Sequence, residues 1–327
     1  MRHPKPSAIF QILENALKGD SASISRIISF FERGEIETMG EILKKIDGDI
    51  SRSHIVSFVG PPGAGKSTLL AGLSEIFSRR FKVAVLLVDP SSPLSGGAFL
   101  GNRIRMVQRL KNNSNIYVRS FSSGSSLGGL SLGVYFASKL LAACGFDFIL
   151  IEGVGAGHLD VKPLLYSHTR VIVLTPVYGD IVQTFKSGIM ELGDIYVVNK
   201  ADVSDPQPVK ACVEELLSFR RSGKGWHFPV LVTEAINGKG LEDLVHEIHN
   251  HRAYLESSHE IDERGKIMRM TELRDVMSAY VSKILDDVIG DENNEVLSLF
   301  MSYNSTSIEV AYKILSKVFG GTRPHVP

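Results

Sequence analysis

Apolar residues recur at helical spacing over the first fifty positions. Ile9, Phe10, Ile12, Leu13, Ala16 and Leu17 form one set and Ile24, Ile27, Ile28 and Phe31 another, with Gly19-Asp20 and Ser21 between them. A third short helix is predicted to end Glu41 to Ile46 at Asp47-Gly48. The pattern then changes to short runs rich in β-branched residues: "HIVSFVG", "VAVLLVD", "NIYVRS", "FDFILIEG", "RVIVLT", "DIYVVNK" and "FPVLVTE". These runs are continuously apolar rather than alternating, as expected of strands covered on both faces. Helical stretches such as Lys66 to Phe77 and Val209 to Ser218 separate them, which predicts an α/β fold with a mostly parallel sheet flanked by helices. From about Tyr254 the β runs stop. Leu273, Val276, Met277, Tyr280, Val281, Ile284, Leu285 and Val288 mark one face of a long helix closed by Gly290, and Ser307 to Phe319 reads as another. The division expected is a helical lead-in over 1–50, a nucleotide-binding domain over 51–253 and a helical extension over 254–327. The apolar stripe of the extension either packs on its own domain or meets a second copy of the chain, making a homodimer.

Composition narrows this picture. The 327 residues are 43% hydrophobic and 22% charged, as in a globular protein with a sizeable core. Thirty-six basic and 36 acidic side chains balance, so no overall charge points to nucleic acid or an anionic membrane. Two cysteines cannot build a disulfide framework and suit a reducing compartment. No apolar run reaches the roughly 18 residues of a membrane span, and no signal-peptide pattern is read. A cytoplasmic protein is expected.

The chemistry is concentrated at strand ends. "VGPPGAGKST" follows the first strand and opens a helix, the context of a phosphate-binding loop. Within the loop Gly60, Pro61, Pro62, Gly63, Ala64 and Gly65, the three glycines are expected to turn the backbone so that its N–H groups face phosphate oxygens. Lys66 adds charge for the outer phosphates and Ser67 offers a hydroxyl to Mg²⁺. "VVNKAD" supplies Asn199, Lys200 and Asp202 in the N-K-x-D spacing. Asp202 can accept from the ring N–H and the exocyclic amine of guanine, donors that adenine does not present together. Glu234 and Ala235, in "TEAINGKG", stand where a further base-contacting loop is expected. Asp89 and Glu152 end two other strands; they suit Mg²⁺, although either could instead cap the following helix. Gly155 permits close backbone approach to the γ-phosphate. His246, His249 and His251 read as a solvated helix end, since 249 and 251 cannot share a helix face.

Taken in order, these residues resemble the MeaB/ArgK/MMAA group of P-loop GTPases. The resemblance spans most of the chain, through "LENALKGDSASISRIISFFERGE", "VDPSSPLSGGAFLGNRIRM", "SLGGL", "CGFDFILIEGVGAG", "GIMELGDIYVVNKAD" and "GKGLEDLVHEIHNHRAYL". It implies a P-loop NTPase fold, GTP or GDP with Mg²⁺ as ligands, and Lys66 with Glu152 as the catalytic pair. Thr68 is implied to join Lys66 and Ser67 in binding phosphate and Mg²⁺. Ser67, Asp89, Asn102 and Glu152 are implied as the metal-side residues, and Asp180 matches a family aspartate. It also implies a partner, a cobalamin-dependent acyl-CoA mutase such as methylmalonyl-CoA mutase. The cobalamin would belong to that partner and not to this chain. There are departures: "GNRIRM" stands for the usual "GDKTRM", so Asn102 replaces an acid. "EGVGAGHLD" stands for "ETVGVGQSE", placing Gly153, His158 and Asp160 at altered positions. The reading expected is a GTP-hydrolysing switch, slow until a partner completes its site. The alternatives are a metal-delivery GTPase, a P-loop kinase and a sensor with little hydrolysis.

Overall fold

The computed structural model describes residues 6–33, 36–46, 52–89, 106, 109–110, 113–122, 130–153, 162–176, 188–220, 225–289 and 306–319. Three helices lead: α1 (Pro6–Leu17), α2 (Ser21–Arg33) and α3 (Ile36–Ile46), the last beginning earlier than the sequence suggests. The break between α1 and α2 is built as the sequence demands. Gly19 takes a left-handed φ of 93°, and Asp20 caps α2 by accepting the Ser23 N–H at 2.9 Å. All seven β runs are strands: β1 (His54–Val59), β2 (Val83–Asp89), β3 (Ile116–Ser122), β4 (Phe148–Glu152), β5 (Thr169–Leu174), β6 (Ile195–Val198) and β7 (Val230–Val232). Interleaved with them are α4 (Lys66–Phe77), α5 (Leu130–Ala143), α6 (Lys162–Leu165) and α7 (Gln207–Ser218). The helices α8 (Leu241–Ser257), α9 (Glu260–Ile289) and α10 (Ser307–Phe319) follow.

The strands form one parallel sheet in the order β3-β2-β4-β1-β5-β6-β7. The chain builds outward from β1 to one edge, returns through β4, and then builds toward the other edge. That reversal opens a crevice at the carboxyl ends of the central strands, where α/β folds take ligands. Every residue of β1 and β4 is buried, as continuous apolar runs require. One core face gathers Val56, Phe58, Leu69, Leu73, Phe77, Leu150 and Ile248; the other gathers Ile172, Leu174, Ile189, Tyr196, Val209 and Val213. The lead-in closes the β3 edge. Phe31 meets Phe136 of α5 edge-on at 5.8 Å, Tyr117 bonds Ser25 at 3.0 Å, and Arg119 pairs with Glu32.

The chain divides into two compact units, Met1–Asp275 and Val276–Pro327. Helix α8 passes through position 254 to Ser257, and α9 carries Ile267, Met270, Leu273, Met277 and Tyr280 with 45–58% of each exposed. The histidines of α8 correct the sequence reading. Only His246 is exposed. His249 lies against the rings of Phe77, Phe81 and Phe148, and His251 is fully buried. Two residues apart, these side chains point to different sides of the helix, and each side meets packed structure.

Candidate functional site

The crevice is assembled from three loops at the ends of β1, β6 and β7, all three of which are bridged by one side chain. Asn199 donates from Nδ2 to the carbonyl of Ala64 at 2.8 Å. Its Oδ1 accepts from Thr233 Oγ1 at 2.9 Å and from the Ala235 N–H at 3.1 Å. The phosphate loop and the two loops expected around guanine are thereby tied into one rigid body. Lys200 follows with φ at 65°, a left-handed backbone unusual for a side chain of its size.

The glycines have steric causes. A Cβ on Gly60 would lie 2.0 Å from the Val173 carbonyl oxygen, and one on Gly65, where φ is 85°, 2.4 Å from Asn199 Nδ2. Backbone approach excludes a side chain at Gly60, and the Asn199 amide together with the positive φ disfavours one at Gly65. Ala64 is buried, Pro61 likewise, and Pro62 and Gly63 form the exposed tip. Lys66 opens α4, with Ser67 and Thr68 partly exposed in its first turn.

Lys66 is buried, and its Nζ donates to the carbonyls of Gly60 at 2.9 Å and Pro61 at 3.0 Å. Burial pulls its pKa below the usual lysine value, and the carboxylate of Glu152 opposes the shift. Ser67 Oγ donates to Glu152 Oε1 at 2.8 Å, so the two groups expected on the metal side do converge. Asp89 ends β2 one strand away, in a register that pairs Leu87 with Glu152. A hydroxyl beside a carboxylate is a hard-oxygen set suited to Mg²⁺ shared with phosphates.

The remaining expected residues among those described lie at the edge of this cluster. Asp202 is exposed at the rim. Glu234 is engaged within its own turn, accepting from Asn237 Nδ2 at 3.0 Å and pairing with Lys239 at 2.9 Å. Asn102, Gly155, His158, Asp160 and Asp180 lie outside the described residues. Gly153 is tight: a Cβ there would sit 3.1 Å from Val59 Cγ2, so the threonine usual at this position in the family would require Val59 to shift. Thr233 was not read from the sequence as part of the site. Its only signal was adjacency to Glu234, because its hydrogen-bond partner lies 34 residues away.

Residues 24–290 match the family described as Methylmalonyl Co-A mutase-associated GTPase MeaB. The chain belongs to the MeaB family. It is similar to a relative from Pyrococcus horikoshii named as a GTPase, with 35% identity over 95% of this chain and 99% of that one. It is also 32% identical to the mouse protein named methylmalonic aciduria type A homolog, mitochondrial, over 68% of this chain and 52% of that one. A crystal structure described as an LAO/AO transport system kinase shares the fold at a TM-score of 0.67, with 19% identity and coverage of 97% and 100%. As a MeaB-family P-loop protein, the chain is a GTPase.

Proposed function

We propose that this MeaB-family GTPase is a Mg²⁺-dependent switch that gates cofactor loading or protection of a cobalamin-dependent acyl-CoA mutase. The family match carries the client assignment, since its description names methylmalonyl-CoA mutase. The mouse relative, named for methylmalonic aciduria, supports it. In this reading the backbone from Gly60 to Gly65 and the hydroxyls of Ser67 and Thr68 hold the phosphates. Asn199, Lys200 and Asp202 select guanine, Ala235 lines the base, and the turn of Glu234 frames it. Ser67 and Glu152, with Asp89 and Asn102, are the residues that would hold Mg²⁺, and Gly155 would approach the γ-phosphate. When bound there, Mg²⁺ would supply positive charge to the phosphate tail. Lys66 adds charge to the same tail from a buried position, where such an interaction is strongest. Glu152 positions the attacking water through its carboxylate. Turnover rises when the mutase completes the site.

Residues 51–253 would form the catalytic domain, with 1–50 as its helical cover. The extension over 254–327 would carry a homodimer contact along the exposed apolar residues of α9. A cytoplasmic location follows from this reading. His249 and His251 are committed to core contacts, which weighs against their use for metal delivery.

The test is capture from a native extract with the chain loaded with GDP or with a slowly hydrolysed GTP analogue, alongside phosphate release from GTP. Nucleotide-dependent recovery of a mutase subunit and free phosphate are expected. Recovery of a nickel-enzyme precursor, transfer of phosphate to an acceptor, or no turnover at all would each replace the reading.

A further inference from the structure

A second recess lies at the opposite end of the sheet from the nucleotide crevice. It is a half-open cavity of about 430 Å³ at the amino ends of β5, β6 and β7, within the range of small-molecule sites. Asp194 immediately precedes β6 and Asn199 immediately follows it, so the two sites are about 16 Å apart along one strand.

Three guanidiniums line this recess, from Arg170, Arg220 and Arg264, around the buried carboxylate of Asp194. Arg264 takes that carboxylate in a two-pronged pair at 2.7 Å through each prong. The other two arginines have no carboxylate within ion-pair distance among the described residues. Arg170 donates from Nε to the Leu164 carbonyl at 2.9 Å, and Arg220 donates from Nη1 to the Met190 carbonyl at 3.1 Å and to Tyr196 Oη at 2.8 Å. Each keeps guanidinium donors with no partner among the described residues. Burial, then the nearby charge of Arg264, lowers the pKa of Arg170, as expected of crowded positive charge. The carboxylates of Glu191 and Glu260 also line the recess, on exposed residues, and Glu260 accepts a hydrogen bond from Tyr254.

Independently, the recess contains an unsatisfied polar atom. His251 is fully buried, and its Nε2 has no hydrogen-bond partner among the described residues, with Asp194 Oδ1 3.7 Å away. Trp226, Phe228 and Tyr254 supply flat apolar surface beside these groups; Trp226 meets the His251 ring edge-on at 4.7 Å. We infer that this recess binds a small organic anion, a carboxylate or phosphate carried on a flat apolar group, with Arg170 and Arg220 on the anion and Trp226 against the ring. Guanidinium forks favour such anions, and aromatic walls favour the attached ring.

Trp226 is the single tryptophan of the chain, so its fluorescence reports on this recess. The full chain, saturated with GDP and Mg²⁺, is titrated with phenyl phosphate, benzoate, inorganic phosphate and benzyl alcohol. A saturable change is expected with phenyl phosphate or benzoate, whichever is tighter naming the anion, with weaker binding of inorganic phosphate and none of benzyl alcohol. Arg170→Gln and Arg220→Gln should each weaken binding about tenfold, the loss of one charge-assisted hydrogen bond. A second measurement needs no variant: phenylglyoxal labelling of Arg170 and Arg220, mapped by mass spectrometry, should slow in the presence of the tighter anion. No saturable response to either aromatic anion, equal binding of benzyl alcohol, or labelling rates unaffected by the anion would overturn the inference.

Discussion

One amide, that of Asn199, does more to define the nucleotide site than any charged group in it. It spans the Ala64 carbonyl, the Thr233 hydroxyl and the Ala235 N–H, all buried. Asn199→Ala would leave these groups without a partner in a place water does not reach. Each such loss costs roughly 1–3 kcal/mol, so a total of at least about 3 kcal/mol is expected, read as a lower urea midpoint. GTP affinity should fall with it, because the loops are no longer held in register; an unchanged affinity measured by calorimetry would show that they are positioned by other means. The N-K-x-D spacing made Asn199 visible in the sequence. Thr233 was not visible, because nothing local distinguishes a threonine that caps a distant amide from one that ends a strand.

At the scale of elements, the amino edge of the sheet is a polar seam. His54 Nε2 and His251 Nδ1 each lie 2.7 Å from Thr169 Oγ1, and His168 Nδ1 accepts the Ile55 N–H at 3.0 Å. Arg170, Arg252 and Arg264 are nearby cations and Asp194 a nearby carboxylate. Burial above all holds the three imidazoles neutral, with His251 pushed down to about 4, His168 to about 3 and His54 well below 6.5. In the unfolded chain they titrate near 6.5. Between that value and the folded ones the unfolded chain binds more protons, so stability is complete above about pH 6.5 and declines as pH falls through the window. At pH 5 the loss is about 2 kcal/mol for His168 and for His251. The denaturant midpoint should therefore drop between pH 7 and pH 5; a midpoint independent of pH over that range would mean these rings are not buried neutral. The sequence reading left His246, His249 and His251 at a solvated helix end, because spacing shows which residues share a face and not what that face meets.

The whole molecule raises the question of what covers α9. Ile267, Met270, Leu273, Met277 and Tyr280 are about half exposed, an arrangement costly in water for a helix of this length. In the proposed homodimer a second copy covers them. Leu273→Glu combined with Met277→Glu should then halve the mass seen by sedimentation equilibrium, whereas a wild-type chain that already sediments as a monomer would remove the dimer. The stripe itself was legible at Leu273, Met277 and Tyr280; whether it packed inward or faced out was not.

The strand runs, the glycine turn before α4 and the N-K-x-D tetrapeptide lie in local spacing, so the chain alone determined the α/β class and the GTPase family and marked Lys66, Ser67, Glu152 and Asn199 as candidate site residues. Tertiary structure decided what depends on partners far apart in sequence: the Asn199 clasp, the pairing of Ser67 with Glu152, the burial of His251 and the arginine-lined recess behind the sheet. Local propensity is set by neighbours within a few residues. Burial and charge pairing are set by whichever elements the parallel sheet brings alongside, and the chain carries no short-range mark of that choice.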